Sequence, residues 1–257
     1  RGAYLVEGPG HCSACHTPRG IAYQELALKL SDGDEFLSGA VIDGWRAKSL
    51  RGEARGLASW SQEELEQFLS TGRTDKVAAF GAMADVVQHS TQYFTPEDIA
   101  SMAKYLKQLP PVKGKEITLA AKEDTTTNDL LNGIYTSRGA VLYTEHCTSC
   151  HRADGKGVER IFPALDANSA IFANNAQSVI QVTLEGGKMP GTPADRMAFT
   201  MPAFNHLSDQ DLAEVINFIR NSWTNQAPTV EAGDIAKIRH FVSGKAPHIT
   251  ATGDQHE

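Results

Sequence analysis

The sequence predicts an all-α chain built from two alike helical halves, and three observations carry that expectation. Strand signals are sparse throughout, the same capped amphipathic helix closes each half, and each half contains one copy of a five-residue cysteine and histidine motif. With 257 residues, each half is long enough to close its own apolar core. The expected division is a first unit over residues 1–110, a linker over 111–127, a second unit over 128–226 and a C-terminal extension over 227–257.

Taken in order, the first helix is expected at Gly2-Ala3-Tyr4-Leu5-Val6, and Gly8-Pro9-Gly10 should end it early. Ser61-Gln62-Glu63-Glu64 is a capping box that leads into Leu65, Phe68 and Leu69. Thr95 caps a further helix, with Asp98 at its third position and an apolar stripe of Ile99, Met102, Ala103 and Leu106. From Pro110 to about Asn128 the mixture of Pro, Lys, Glu and Thr125-Thr126-Thr127 reads as a linker. The second half then repeats the first: Gly139-Ala140-Val141-Leu142-Tyr143 matches the opening helix. Ser208 with Asp211, Leu212, Val215, Ile216 and Ile219 matches the closing one. Glycine surfaces on the opening helices predict close crossings, with Tyr105 and Phe218 as packing partners. A third helix is expected in each half, and Ile235–Phe241 predicts a short one near the end. Ala246 to Glu257 reads as a loose or partner-bound tail.

Composition narrows the function classes. The formal charge of −7 lacks the excess of Lys and Arg that a phosphate-binding surface needs, which argues against nucleic acid as a partner. No apolar run is long enough to span a bilayer, and Arg1-Gly2-Ala3-Tyr4 shows no signal peptide.

All four cysteines fall in Cys12-Ser13-Ala14-Cys15-His16 and Cys147-Thr148-Ser149-Cys150-His151. Two thiols three residues apart can each add to a vinyl group of haem, and the adjacent histidine then meets the iron. The expectation is therefore two covalently bound haem c groups, at Cys12 and Cys15 and at Cys147 and Cys150, with His16 and His151 as iron ligands. A shared zinc site would have to join pairs separated by more than a hundred residues, and a redox-active pair would need a βαβ setting that neither flank supplies.

The second axial ligand separates a closed electron-transfer iron from an open, reactive one. Met201, in Met201-Pro202-Ala203-Phe204 just before the last capped helix, is the candidate in the second half, with Met189 as the local competitor. Met83 takes the corresponding part in the first half, twelve residues before its helix cap against seven for Met201. Met102 fits the apolar stripe and reads as core, while His89 and His206 offer a bis-histidine alternative. Each proximal ring also needs an acceptor for its Nδ1 proton, and the carbonyl of Pro163 is the expected acceptor for His151.

These motifs, with Thr17-Pro18-Arg19-Gly20, Val41-Ile42-Asp43-Gly44-Trp45, Met83 through Tyr93, Asp154-Gly155-Lys156-Gly157, Phe162-Pro163-Ala164-Leu165 and Phe218 through Trp223, resemble one family. It is the cytochrome c subunit of bacterial membrane-bound alcohol, gluconate and related sugar dehydrogenases. The resemblance reaches to about residue 240. It implies tandem class I cytochrome c domains in the periplasm, association with the membrane through a partner, and Met83 and Met201 as axial ligands. Electrons would come from a flavoprotein or quinoprotein dehydrogenase and pass to a quinone, cytochrome or oxidase. The chain itself is then an electron-transfer subunit with no catalytic residues of its own. Two features depart from the family: two haem motifs stand where three are usual, and Lys48 stands where a proline is usual near His16. Two other readings are a di-haem enzyme, a peroxidase or sulfur-compound oxidase with one open iron, and an electron-transfer module of a larger enzyme.

Overall fold

In a computed structural model, residues 1–114 and 121–244 are described. The tail from Ala246 and the middle of the expected linker lie outside them. The first half runs α1 (Gly2–Glu7), α2 (Cys12–His16), β1 (Ala40–Ile42), β2 (Trp45–Ala47), α3 (Gln62–Thr71), α4 (Ala82–His89) and α5 (Pro96–Gln108). The second runs α6 (Thr126–Leu131), α7 (Arg138–His146), α8 (Thr148–His151), α9 (Gln177–Glu185), β3 (Gly187–Lys188), β4 (Thr200–Met201), α10 (Asp209–Asn221) and α11 (Ala232–Ser243).

The helical class holds, with one addition. Each half carries a short antiparallel ribbon, β1 against β2 and β3 against β4. Strands of two or three residues are too short to show an alternating pattern, so the sequence gives no sign of them. A second difference is α6, which starts at Thr126, inside the stretch read as linker; the Asp124 carboxylate accepts from the Thr127 N–H at 3.1 Å and holds its first turn.

The expected caps form by the expected chemistry. The Ser61 hydroxyl accepts from Glu64 N–H at 3.1 Å while the Glu64 carboxylate accepts from Ser61 N–H at 2.8 Å. Thr95 and Ser208 cap α5 and α10 through the N–H groups of Asp98 and Asp211. Behind these caps, Ile99, Met102, Ala103 and Leu106 of α5 join Leu5, Val6, Phe36, Leu37, Leu65 and Leu69 in one core. Leu212, Val215, Ile216 and Ile219 of α10 join Leu142, Tyr143, Ile180, Leu184 and Trp223 in another.

The opening helix of each half crosses the closing one through a glycine. A Cβ on Gly2 would run into the Ser101 carbonyl and Tyr105 Cβ, and one on Gly139 into the Glu214 carbonyl and Phe218 Cβ. The same contact thus recurs at equivalent places, with Tyr143 and Phe218 rings 5.4 Å apart beside it. Because the obstacle at Gly139 is backbone rather than a movable side chain, Gly139→Ala is expected to push α7 off α10. The cost is about 1–3 kcal/mol, read as a lower denaturant midpoint at unchanged slope.

Candidate functional site

In each half a single helical turn presents the motif. Cys12, Cys15 and His16 lie on α2, while Cys147 caps α8, which carries Cys150 and His151. Spacing of i and i+3 puts the two thiols of each pair on one helix face. None of the four cysteines is disulfide-bonded. Burial pushes the Cys12 thiol up to about 11 and the Cys147 thiol up to about 12. Such thiols are protonated at neutral pH, opposite to the low-pKa thiolate that a redox-active C-x-x-C pair requires.

The two histidines are held alike. His16 Nδ1 lies 2.7 Å from the Lys48 carbonyl oxygen, and His151 Nδ1 lies 2.9 Å from the Pro163 carbonyl oxygen. A carbonyl can only accept, so Nδ1 carries the proton in both rings and Nε2 keeps its lone pair. The main chain of each histidine is also fixed, His16 carbonyl by Gly39 N–H at 2.7 Å and His151 carbonyl by Gly157 N–H at 3.2 Å. Desolvation lowers both imidazoles, His16 to about 4, with the cations of Lys48 and Arg46 adding to the effect at His16. Both rings are therefore neutral bases at physiological pH.

The Pro163 carbonyl stands where the sequence predicted an acceptor. Its counterpart at Lys48 works although proline is absent, because the accepting atom belongs to the main chain. The Lys48 side chain is engaged elsewhere: Nζ donates to Ser169 Oγ at 2.8 Å and lies 4.9 Å from the centre of the Trp60 ring.

Met83 falls in the first turn of α4 and packs against the first core, whereas Met201 ends β4, paired with Gly187. Both are partly buried. Met189 is buried beside the same ribbon, its N–H donating to the Phe199 carbonyl at 2.9 Å. Met102 is a core residue of α5. Of the histidine competitors, His89 ends α4, and the His206 ring meets His146 edge-on with centres 6.1 Å apart and lies tilted against Phe204 at 6.2 Å.

Sequence reasoning missed a group of cations around the first site. Burial lowers Arg46, Arg55 and Lys48, and Arg46 is lowered further by Arg55 and Lys48 by Arg46, with no salt bridge to Arg46 or Arg55 among the described residues. The buried Nε of Arg55 has no hydrogen-bond partner there. Arginines scattered along a chain give no periodic signal, so only the fold brings them together.

Residues 136–223, which include Cys147, Cys150, His151, Pro163 and Met201, match the family described as cytochrome c. Over 244 residues the chain is 48% identical to the cytochrome c subunit of alcohol dehydrogenase (quinone) from Gluconacetobacter polyoxogenes, covering 93% of this chain and 52% of that protein. It is 45% identical over 245 residues to the gluconate 2-dehydrogenase cytochrome c subunit of Pantoea cypripedii, covering 93% and 55%. It is 31% identical over 261 residues to the fructose dehydrogenase cytochrome subunit of Gluconobacter japonicus, covering 93% and 51%. The chain thus spans about half the length of these curated relatives. By name they are cytochrome subunits of dehydrogenases, the family that the sequence resemblance implied. No helix among the described residues is long and apolar enough to cross a membrane.

Since the main chain of residue 48 accepts the His16 proton, Lys48→Ala should leave the His16 tautomer unchanged. Losing the Ser169 bond costs about 1 kcal/mol. Nitrogen chemical shifts of the His16 ring check the first outcome and denaturant unfolding the second.

Proposed function

We propose that the chain is a two-haem c-type cytochrome, each half attaching one haem covalently and each iron closed by a histidine and a methionine. One observation carries this reading: in both halves a histidine with Nδ1 pinned to a main-chain carbonyl follows, on one helical turn, two thiols three residues apart. The residues fit the group. Cys12 with Cys15 and Cys147 with Cys150 would form the thioethers, and His16 and His151 would bind iron through Nε2, the nitrogen left basic. Arg46, whose charge is felt by His16 and which forms no salt bridge among the described residues, suits a cofactor that bears carboxylates.

When bound, haem supplies a one-electron ferric to ferrous couple. The protein contributes position and electrostatics. The carbonyls of Lys48 and Pro163 fix ring orientation, and the paired cysteines would hold the group covalently beside each ring. His151 is buried and His16 half-buried, which limits the access of water to both imidazoles. Met83 and Met201 would each offer a weakly donating thioether, which favours the reduced metal and raises the potential.

Similarity to subunits of alcohol, gluconate and fructose dehydrogenases supports a flavoprotein or quinoprotein dehydrogenase as the electron donor and a quinone, cytochrome or oxidase as the acceptor, in the periplasm. Residues 1–110 and 128–226 are the units that would each carry one haem. Because covalent attachment survives denaturation, the purified chain should weigh its polypeptide mass plus two haems. Cys147→Ala with Cys150→Ala should remove one haem and leave the other. A chain of polypeptide mass alone defeats the proposal. Met83→Ala and Met201→Ala should each open one iron to carbon monoxide in the ferrous protein, and lower the potential of that haem only.

A further inference from the structure

The strand of chain that follows α3 belongs to the first half by sequence, yet it is built into the second site. Arg73 has only 2% of its surface exposed. Its Nη2 donates to the carbonyls of Pro190 at 2.9 Å and Met197 at 3.0 Å, the two arms of the hairpin that leads into β4. Its Nη1 donates to the carbonyl of Arg160 at 3.1 Å, on the loop that also supplies Pro163. Three residues on, the Lys76 carbonyl accepts from Ala164 N–H at 2.7 Å, directly after Pro163. The guanidinium lies 5.8 Å from the centre of the Phe199 ring, two residues before Met201, and Phe199 in turn packs on Phe162 at 6.1 Å.

The approach is too close to be incidental. Gly72 adopts φ of +75° as the C-cap of α3, and a Cβ there would overlap the Pro190 ring. Across the tip of the same hairpin, the Arg160 guanidinium reaches the Asp195 carboxylate, whose oxygen also lies 3.9 Å from Arg73 Nε. The segment from Gly72 to Ala79 is therefore a wedge. On one side it meets the loop holding the His151 ring; on the other it meets the hairpin ending in Met201.

We propose that Arg73 is a positioning residue for the second-half site, setting the distance between the loop that bears Pro163 and the hairpin that bears Met201. The inference rests on the two-haem reading above, with Met201 as a ligand. A planar guanidinium spreads its N–H donors over separate nitrogens and so reaches three carbonyls on two separate loops at once, whereas an ammonium gathers its donors on one atom and an amide has only two. Without it those carbonyls lose their partner in a buried setting and the hairpin is free to withdraw.

The test uses the full haem-loaded chain and two readouts, carbon monoxide uptake by the ferrous protein and the ferric sulfur-to-iron charge-transfer band. Arg73→Gln should make one of the two haems reactive to carbon monoxide, and reduce the band to about half, since one of two sites loses its thioether. Arg73→Lys, which keeps charge and one bond, should fall between that variant and the unaltered protein, and it supplies the answer if the glutamine variant does not hold haem. Ser178→Ala, which removes the bond from Arg46 N–H across the seam between the two halves, should change neither readout. The proposal is overturned if Arg73 variants match the unaltered protein while Met201→Ala opens the second site. It is equally overturned if Ser178→Ala gives the same loss, or if the first haem opens instead. If Met201→Ala itself leaves the second site closed, the methionine assignment fails, which is a separate result.

Discussion

A neutral imidazole carries its proton on one nitrogen and its lone pair on the other, and both candidate sites are organised to fix which is which. The Nδ1 protons of His16 and His151 go to main-chain carbonyls at 2.7 and 2.9 Å. The Lys48 carbonyl directly follows β2 and the Pro163 carbonyl sits on irregular chain, so further contacts must hold each in place. In each half the same histidine's own carbonyl is bound by a glycine N–H, Gly39 or Gly157, and this anchors the helical turn to the loop region that follows it. The ring, the turn and the loop therefore stand or fall together.

Buried arginines tie together much of the irregular chain in each half. Arg51 donates to the carbonyls of Pro110, Asp34 and Phe36 in the first half, and Arg220 to those of Ile171, Ala173 and Pro228 in the second. Both are essentially without exposed surface. Irregular chain has carbonyls that no helix or ribbon satisfies, and one guanidinium can take several of them from different directions. Burial lowers Arg220 to about 10, which still leaves it charged at neutral pH. Arg73 does across the seam what Arg51 and Arg220 do within each half.

Much of this was legible in the sequence where local chemistry decides the outcome. Ser61, Thr95 and Ser208 cap helices because a hydroxyl and a free N–H a few residues on are all a cap needs. Gly2 and Gly139 announced their crossings because only a missing side chain permits them. The carbonyl at Lys48 was less readable, since an acceptor in the main chain leaves no mark on residue type. The methionines show the repeat at its weakest: Met83 lies in a helix and Met201 in a strand, and the unequal spacing to the following cap is the trace of that difference. Arg46, Arg51, Arg55, Arg73 and Arg220 were not legible at all. A buried arginine looks in sequence like a surface one, and only the arrangement of distant loops reveals it.

The seam also changes how the expected linker should be understood. A flexible tether would keep two sites near one another only as an average over many separations. Here the Lys48 side chain reaches Ser169, Arg46 N–H reaches Ser178 and Ala164 N–H reaches Lys76, so the contacts run in both directions. Two of them, at Lys48 and Ala164, involve the residue that binds a histidine ring or its immediate neighbour. The first half thereby steadies the second site, and the second half steadies the first. A displacement of one half would therefore pull directly on the proximal loop of each site, so these contacts couple the geometry of the two sites.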